Sequence, residues 1–193
     1  MTAAGYARVL LLFGLQRVVE LLYSERNERT IRERQRDAPQ AGRSVWPGIA
    51  AINLALFTLP GCERWFVGRR PPRPVAAIGW MMALAAVGLR LSVLATLREA
   101  WNVRAVVPGD LRVIDSGPYR FIRHPNYVAL ALEFLGLPLI GGAYVSAVAL
   151  STANALLLRQ RIVEEEALLM AIPAYRARMG DKPRFVPRLV SGR

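Results

Sequence analysis

Cysteine, histidine and lysine each occur once, as Cys62, His124 and Lys182. A lone cysteine excludes a disulfide framework and a cysteine metal cluster. One histidine among scattered carboxylates does not supply the usual ligand set, so no metal site is expected. Neither a Ser-His-Asp arrangement nor a phosphate-binding glycine loop is evident, which removes common hydrolase and nucleotide-hydrolysing classes. With so little lysine, the net charge of +12 is carried almost wholly by arginine, a bias that suits a GC-rich genome as much as a function.

What is abundant is apolar sequence. Its share is 53%, above the roughly 45–50% usual for soluble domains. The arginines cluster between the apolar runs, as in the basic loops that flank membrane helices. No recognised nucleic-acid motif accompanies the charge, so a membrane surface and not nucleic acid is the expected partner.

Five runs predict an all-α, integral membrane helical bundle. The first covers about Ala4 to Leu22, long enough for a bilayer core of roughly 30 Å at 1.5 Å per residue. Gln16, Arg17 and Glu20 in its last turns read either as a polar cluster lining a cavity or as a helix end snorkelling into the interface. Tyr23 to Arg43 reads as an exposed, cytoplasmic continuation of that helix. A second run covers about Trp46 to Leu59 and continues to Val67 unless Pro60-Gly61 bends or ends it. A third runs from about Val75 to Leu97 and holds Arg90, costly there without a partner and expected near the cytoplasmic face. Val128 to Ile140 and Ala143 to Leu158, parted by Gly141-Gly142, suggest a tight helical hairpin carrying Glu133 and Asn154. Basic loops alternate with these spans to predict an outside amino terminus and a cytoplasmic carboxyl terminus; Arg64, Arg69, Arg70 and Arg73 form the one discordant loop.

The polar interruption in the apolar carboxyl half is Leu111 to Tyr127, LRVIDSGPYRFIRHPNY, which contains His124. Gly117-Pro118 makes a turn and Pro125 biases His124 away from helix, so the stretch reads as an ordered loop at the mouth of the bundle. In isolation, RHPNY fits a helix-entry turn and Glu164 to Glu166 a solvated face.

Their combination carries more. GPY, then RHPNY, a short apolar hairpin and R-x-x-x-E-x-x-x-L (Arg161, Glu165, Leu169) closely resembles the isoprenylcysteine carboxyl methyltransferase family of integral membrane enzymes and its phospholipid methyltransferase relatives. The resemblance runs from about Trp101 to Arg188. Gln16 to Leu21 and Ser24 to Arg29 look more like the bacterial branch that includes alkylpyrone methyltransferases. It implies one domain over 1–193, with membrane helices over 1–100 and a catalytic half over 101–193, in a bacterial inner membrane with the cofactor site facing the cytoplasm.

The resemblance further implies S-adenosyl-L-methionine as cofactor and a lipophilic or lipidated acceptor reached from the membrane. By motif, Leu111, Arg112, Val113, Ile114 and Tyr119 should line the cofactor pocket. His124, Pro125, Asn126 and Tyr127 match the family's HP-x-Y cofactor element, and Glu165 its tail carboxylate. Arg161 matches the arginine that addresses the acceptor carboxylate, a group to which guanidinium forms bidentate, charge-assisted bonds. Its place one turn before Glu165 suggests that it turns toward the lipid while Glu165 faces the cofactor. Two positions depart from the pattern: Arg104 stands where animal enzymes of the family have a cofactor-contacting glutamine, and Leu111 replaces a polar residue.

The implied activity is O-methylation, of an isoprenylcysteine-like or other lipid acid, or of an alkylpyrone or phenolic lipid. A carboxylate acceptor is already anionic at neutral pH and needs no base, so His124 is expected as a cofactor contact. A transporter or assembly protein is the alternative from another class, suited by Gly141-Gly142, Arg90 and Glu133.

Overall fold

The computed structural model describes residues 1–187; Arg188, where the resemblance ends, lies outside them. Among the described residues six α-helices, α1 Ala3–Arg34, α2 Trp46–Val67, α3 Arg73–Leu97, α4 Pro125–Gly141, α5 Tyr144–Met170 and α6 Pro173–Met179, form the architecture. β-Bridge pairing among the described residues is limited to an isolated bridge between Gln40 and Val106. The all-α expectation therefore holds. Among the described residues one stretch, Arg73–Ala100, is both long and apolar enough to cross a bilayer, with a mean hydropathy of 1.8.

Helix α1 continues through its charged end as expected, but stops at Arg34, short of Arg43. The Thr2 hydroxyl caps α1 by accepting from the Gly5 N–H at 3.0 Å, and the charged extension from Tyr23 to Arg34 contains no proline or glycine to interrupt it. Its charged end is not the free continuation expected. Glu20, Ser24, Asn27 and Glu28 are buried, at the spacing that places them on one helical face. In α2, Pro60 does not end the helix; it is fully buried inside the bundle, where packing offsets the lost backbone hydrogen bond.

The tightest crossing is between α3 and α4. A Cβ on Gly79 would lie 2.8 Å from the Ile140 nitrogen, and one on Gly136 2.9 Å from the Gly79 carbonyl oxygen. Small residues let two backbones meet this closely, which matters most where lipid removes the hydrophobic drive between helices. Around this contact Leu56, Ala83, Phe134, Leu137 and Ile140 form the core with Tyr6, whose hydroxyl donates to the Leu137 carbonyl at 2.9 Å. Outward-facing leucines and methionines such as Leu12, Leu54, Met81 and Leu156 remain more than 60% exposed, a wide apolar exterior of the kind that marks a membrane or partner surface.

Gly142, at φ 74°, closes α4 in the left-handed conformation, and α5 returns antiparallel to it. Glu63 of α2 caps α5, accepting from the backbone N–H groups of Val145 at 3.1 Å and Ser146 at 2.7 Å. The predicted hairpin is present, but α5 runs on without a break past Leu158 to Met170. Arg161 and Glu165 thus ride on a rigid helix continuous with the bundle.

The charged residues predicted inside the apolar runs find one another. Arg90 Nη2 lies 2.6 Å from Glu133 and its Nη1 3.5 Å from Glu20; Arg17 pairs with both acids. Gln16 donates to Glu20 at 3.0 Å. Two arginines and two glutamates close a neutral ring joining α1, α3 and α4, with Arg90 only 2% exposed. Gln16, Arg17 and Glu20 thus form a polar cluster, but one closed on itself by ion pairs and not one lining the cavity described below.

Candidate active site

The segment from Arg98 to His124 folds over the ends of α4 and α5 because α1 holds it there. Asn27 donates its amide to the carbonyls of Arg98 at 3.0 Å and Trp101 at 2.8 Å. Ser24 accepts from the Val103 N–H at 2.7 Å. Further on, Ala41 donates to Ala105 at 3.1 Å and Val107 to Pro39 at 2.9 Å. These anchors turn the stretch just before the predicted loop into a wall.

Behind that wall is a cavity of about 140 Å³, lined by Leu111, Arg112, Val113, Ile114, Tyr119, His124, Asn126, Tyr127, Arg161 and Glu165. Every candidate site residue is therefore gathered there except Pro125, whose ring is buried at the start of α4 and serves the helix turn. Through Leu97, Ala100 and Leu111 to Ile114 the cavity adjoins an open cleft of about 1210 Å³. The enclosed part is below the roughly 300–1,000 Å³ of ordinary ligand pockets, so a cofactor-sized ligand also needs the cleft.

At the inner end, Arg161 Nε donates to the Tyr127 hydroxyl at 2.9 Å, Tyr127 donates to Glu165, and Arg161 Nη2 donates to the Val103 carbonyl. Arg161 is 5% exposed, and its Nη1 makes no hydrogen bond among the described residues. Arg161 and Glu165 open into the same cavity; they do not divide between cavity and lipid. Gly42 sits behind Arg161 at φ +66°, with space for a Cβ only 2.9 Å from the Arg161 Cγ, and its N–H donates to Glu164 at 2.7 Å. The electrostatics favour neutral phenols around one carboxylate. Burial pushes the Tyr119 and Tyr175 hydroxyls well above the ordinary phenol range, and the charge of Glu165 adds to the effect.

Glu166, one residue on, faces elsewhere. It meets His124 Nε2 at 2.9 Å and accepts a two-nitrogen contact from Arg184, the shorter arm at 2.6 Å. The backbone of residues 183 and 184 accepts from the N–H groups of Arg123 at 2.9 Å and His124 at 3.0 Å, and Lys182 Nζ reaches the Tyr119 carbonyl at 2.8 Å. This strap fixes HPNY from outside. Burial opposes ionisation of Glu166, but hydrogen bonds from Arg184 and His124 outweigh it and hold the carboxyl below its usual range.

Sequence reading missed the α1 anchors Ser24 and Asn27, the strap residues Lys182 and Arg184, and Gly42. The dense charges of the α1 extension hid its buried i, i+3, i+4 face, and a strap of irregular backbone has no periodicity to read. Arg104 stays outside the cavity, 5.5 Å above the Trp46 ring and 3.6 Å from Glu28.

Residues 78–171, from α3 to just beyond α5, match the model of the Isoprenylcysteine carboxyl methyltransferase (ICMT) family. Uncharacterized protein YpbQ of Bacillus subtilis is 29% identical over 160 residues, 80% of this chain and 90% of its own. An uncharacterized protein of Haemophilus influenzae is 28% identical over 93 residues, 48% of this chain and 54% of its own.

Proposed function

We propose, from the membership of residues 78–171 in the isoprenylcysteine carboxyl methyltransferase family, that this membrane-associated methyltransferase uses S-adenosyl-L-methionine and methylates an oxygen of a lipophilic acid. The observation that carries the reading is the convergence of Leu111 to Ile114, Tyr119, His124, Asn126, Tyr127, Arg161 and Glu165 on one cavity. In this reading α1, α2, α4 and α5 cross the bilayer beside α3, and the cavity faces the cytoplasm.

The donor set fits the cofactor. Glu165 offers a carboxylate for its amino or ribose hydroxyl groups, Asn126 and Tyr119 offer hydrogen bonds, and Leu111, Val113 and Ile114 offer an apolar wall for the adenine. When bound, S-adenosyl-L-methionine supplies an electrophilic sulfonium methyl. Arg161 holds the acceptor carboxylate through Nη1, while its other nitrogens stay fixed on Tyr127 and Val103. Since that carboxylate is ionised at neutral pH, no residue has to remove a proton. Arg161 orients the nucleophile, and the loop and strap keep water from the inner cavity.

Direct titration of purified protein with S-adenosyl-L-methionine tests the reading. Saturable binding that weakens in Glu165→Gln is the expected result, and absence of binding by folded protein overturns it in favour of a transporter or assembly role.

A further inference from the structure

On the lipid side of Tyr127, α4, α5 and the strap enclose a groove of about 780 Å³ whose walls include Val128, Leu132, Leu158, Ile162 and Phe185. Tyr127 lines both this groove and the inner cavity. The groove is not wholly apolar: Arg159 and Arg184 line it too, and two uncharged polar side chains of α5 face it. Asn154, 4% exposed, lines it, and its amide makes no hydrogen bond among the described residues. One turn earlier the Ser151 hydroxyl is also buried without a partner. A buried hydroxyl left unpaired is costly, and the Asn154 amide opens into the groove beside it, so the pair points to a ligand that completes it.

The spacing says where on that ligand the partner lies. Asn154 and Arg161 are seven residues apart, two turns and about 10 Å along one face of α5. Leu158, between them, is apolar. We propose that the groove binds an oxygenated lipid acid: its carboxylate reaches Arg161 past Tyr127, and a keto or hydroxyl oxygen about 10 Å along its chain bonds Asn154. This deepens the acceptor reading above and rests on it for the role of Arg161. It makes Asn154 a specificity-determining residue, since a hydrocarbon chain of equal length leaves its amide unpaired and a site built to hydrogen-bond discriminates against the analogue that lacks the group.

The test uses the full chain in detergent and two probes: a long-chain fatty acid with a mid-chain keto group and the unsubstituted acid of the same length. Equilibrium binding of each is measured for the native protein, Asn154→Leu and Asn154→Ala, the last because it cannot overfill the groove. The native protein is expected to favour the keto acid by roughly ten-fold, and both variants to lose that preference while retaining cofactor affinity. Equal binding of the two acids by the native protein overturns the proposal, as does a preference that survives in both variants. A co-purified phospholipid that neither acid displaces overturns it too. Methyl transfer to the two acids, measured in parallel, separates the claims: keto-acid preference without transfer refutes the methyltransferase reading alone, and transfer without preference refutes the groove assignment alone.

Discussion

Arg161 of α5 donates its Nε to the hydroxyl of Tyr127 on α4 at 2.9 Å, across the floor of the cavity. With Nη2 on the Val103 carbonyl, two of its three nitrogens are spent on holding the guanidinium still, and the third is left for a ligand. Lysine has the charge but a single nitrogen on a flexible stem. Arg161→Lys is therefore expected to lose a charge-assisted bond worth roughly 1.5–3 kcal/mol, a drop of about ten- to a hundred-and-fifty-fold in methyl transfer. Transfer of label from cofactor to extracted lipids measures it, with cofactor binding followed separately. Unchanged transfer removes Arg161 from acceptor recognition and favours a phenol or enol acceptor.

Gly42 should matter to the same guanidinium without touching any ligand. Its φ of +66° is one that side chains rarely adopt, and a methyl there meets the Arg161 stem at 2.9 Å. Gly42→Ala is expected to lower transfer several-fold, because displacement of about 1 Å in a positioning group is costly. Thermal unfolding should show a loss of about 1 kcal/mol from the backbone conformation alone. Loss of stability with full transfer shows that Arg161 is not placed by this contact.

The hairpin and the third span were legible because their apolar runs and the Gly141-Gly142 break are local signals. Candidate site residues were legible through motif spacing: Arg161 and Glu165 share a helical face, and His124 and Tyr127 lie either side of a helix start. What lay beyond reading was the third dimension. Nothing local reveals that Arg17 and Arg90 meet Glu133 from different helices, or that Asn27, in the middle of a charged run, carries the loop around Trp101. Glu165 and Glu166 differ only by the rotation of one residue, so sequence alone could not say that the second one pins His124 and Arg184.

The buried ring makes a stability prediction that separates pairing from mere polarity. Arg90→Met leaves Glu20 and Glu133 facing only Arg17, and breaking a buried pair by removing one partner costs roughly 3–5 kcal/mol. Arg90→Met combined with Glu133→Leu restores charge balance and should recover much of that loss. Unfolding of the four proteins in one detergent gives the coupling energy directly. An additive double variant shows that the two side chains do not act as a pair, whatever their separation of 2.6 Å.

Glu165 and Glu166 are expected to fail in different ways. Glu165→Gln should weaken cofactor binding and leave the strap in place, since Glu165 lines the cavity and bonds Tyr127. Glu166→Gln should free the strap, read as faster proteolysis near Arg184, with a smaller effect on binding. The pH dependence follows from the lowered carboxyl of Glu166. A group whose folded pKa is depressed stabilises the fold above its unfolded value, and that contribution is lost as pH falls through the folded one. The native strap should therefore be protected at neutral pH and become cleavable only below the ordinary glutamate range of about 4.3, with an acid-stable protease as the probe. In Glu166→Gln the acid-induced change should be absent because cleavage is already fast at neutral pH. Equal effects of the two glutamines on cofactor binding, with no change in proteolysis, mean that the tail acts by net charge and not through the separate contacts of Tyr127 and His124.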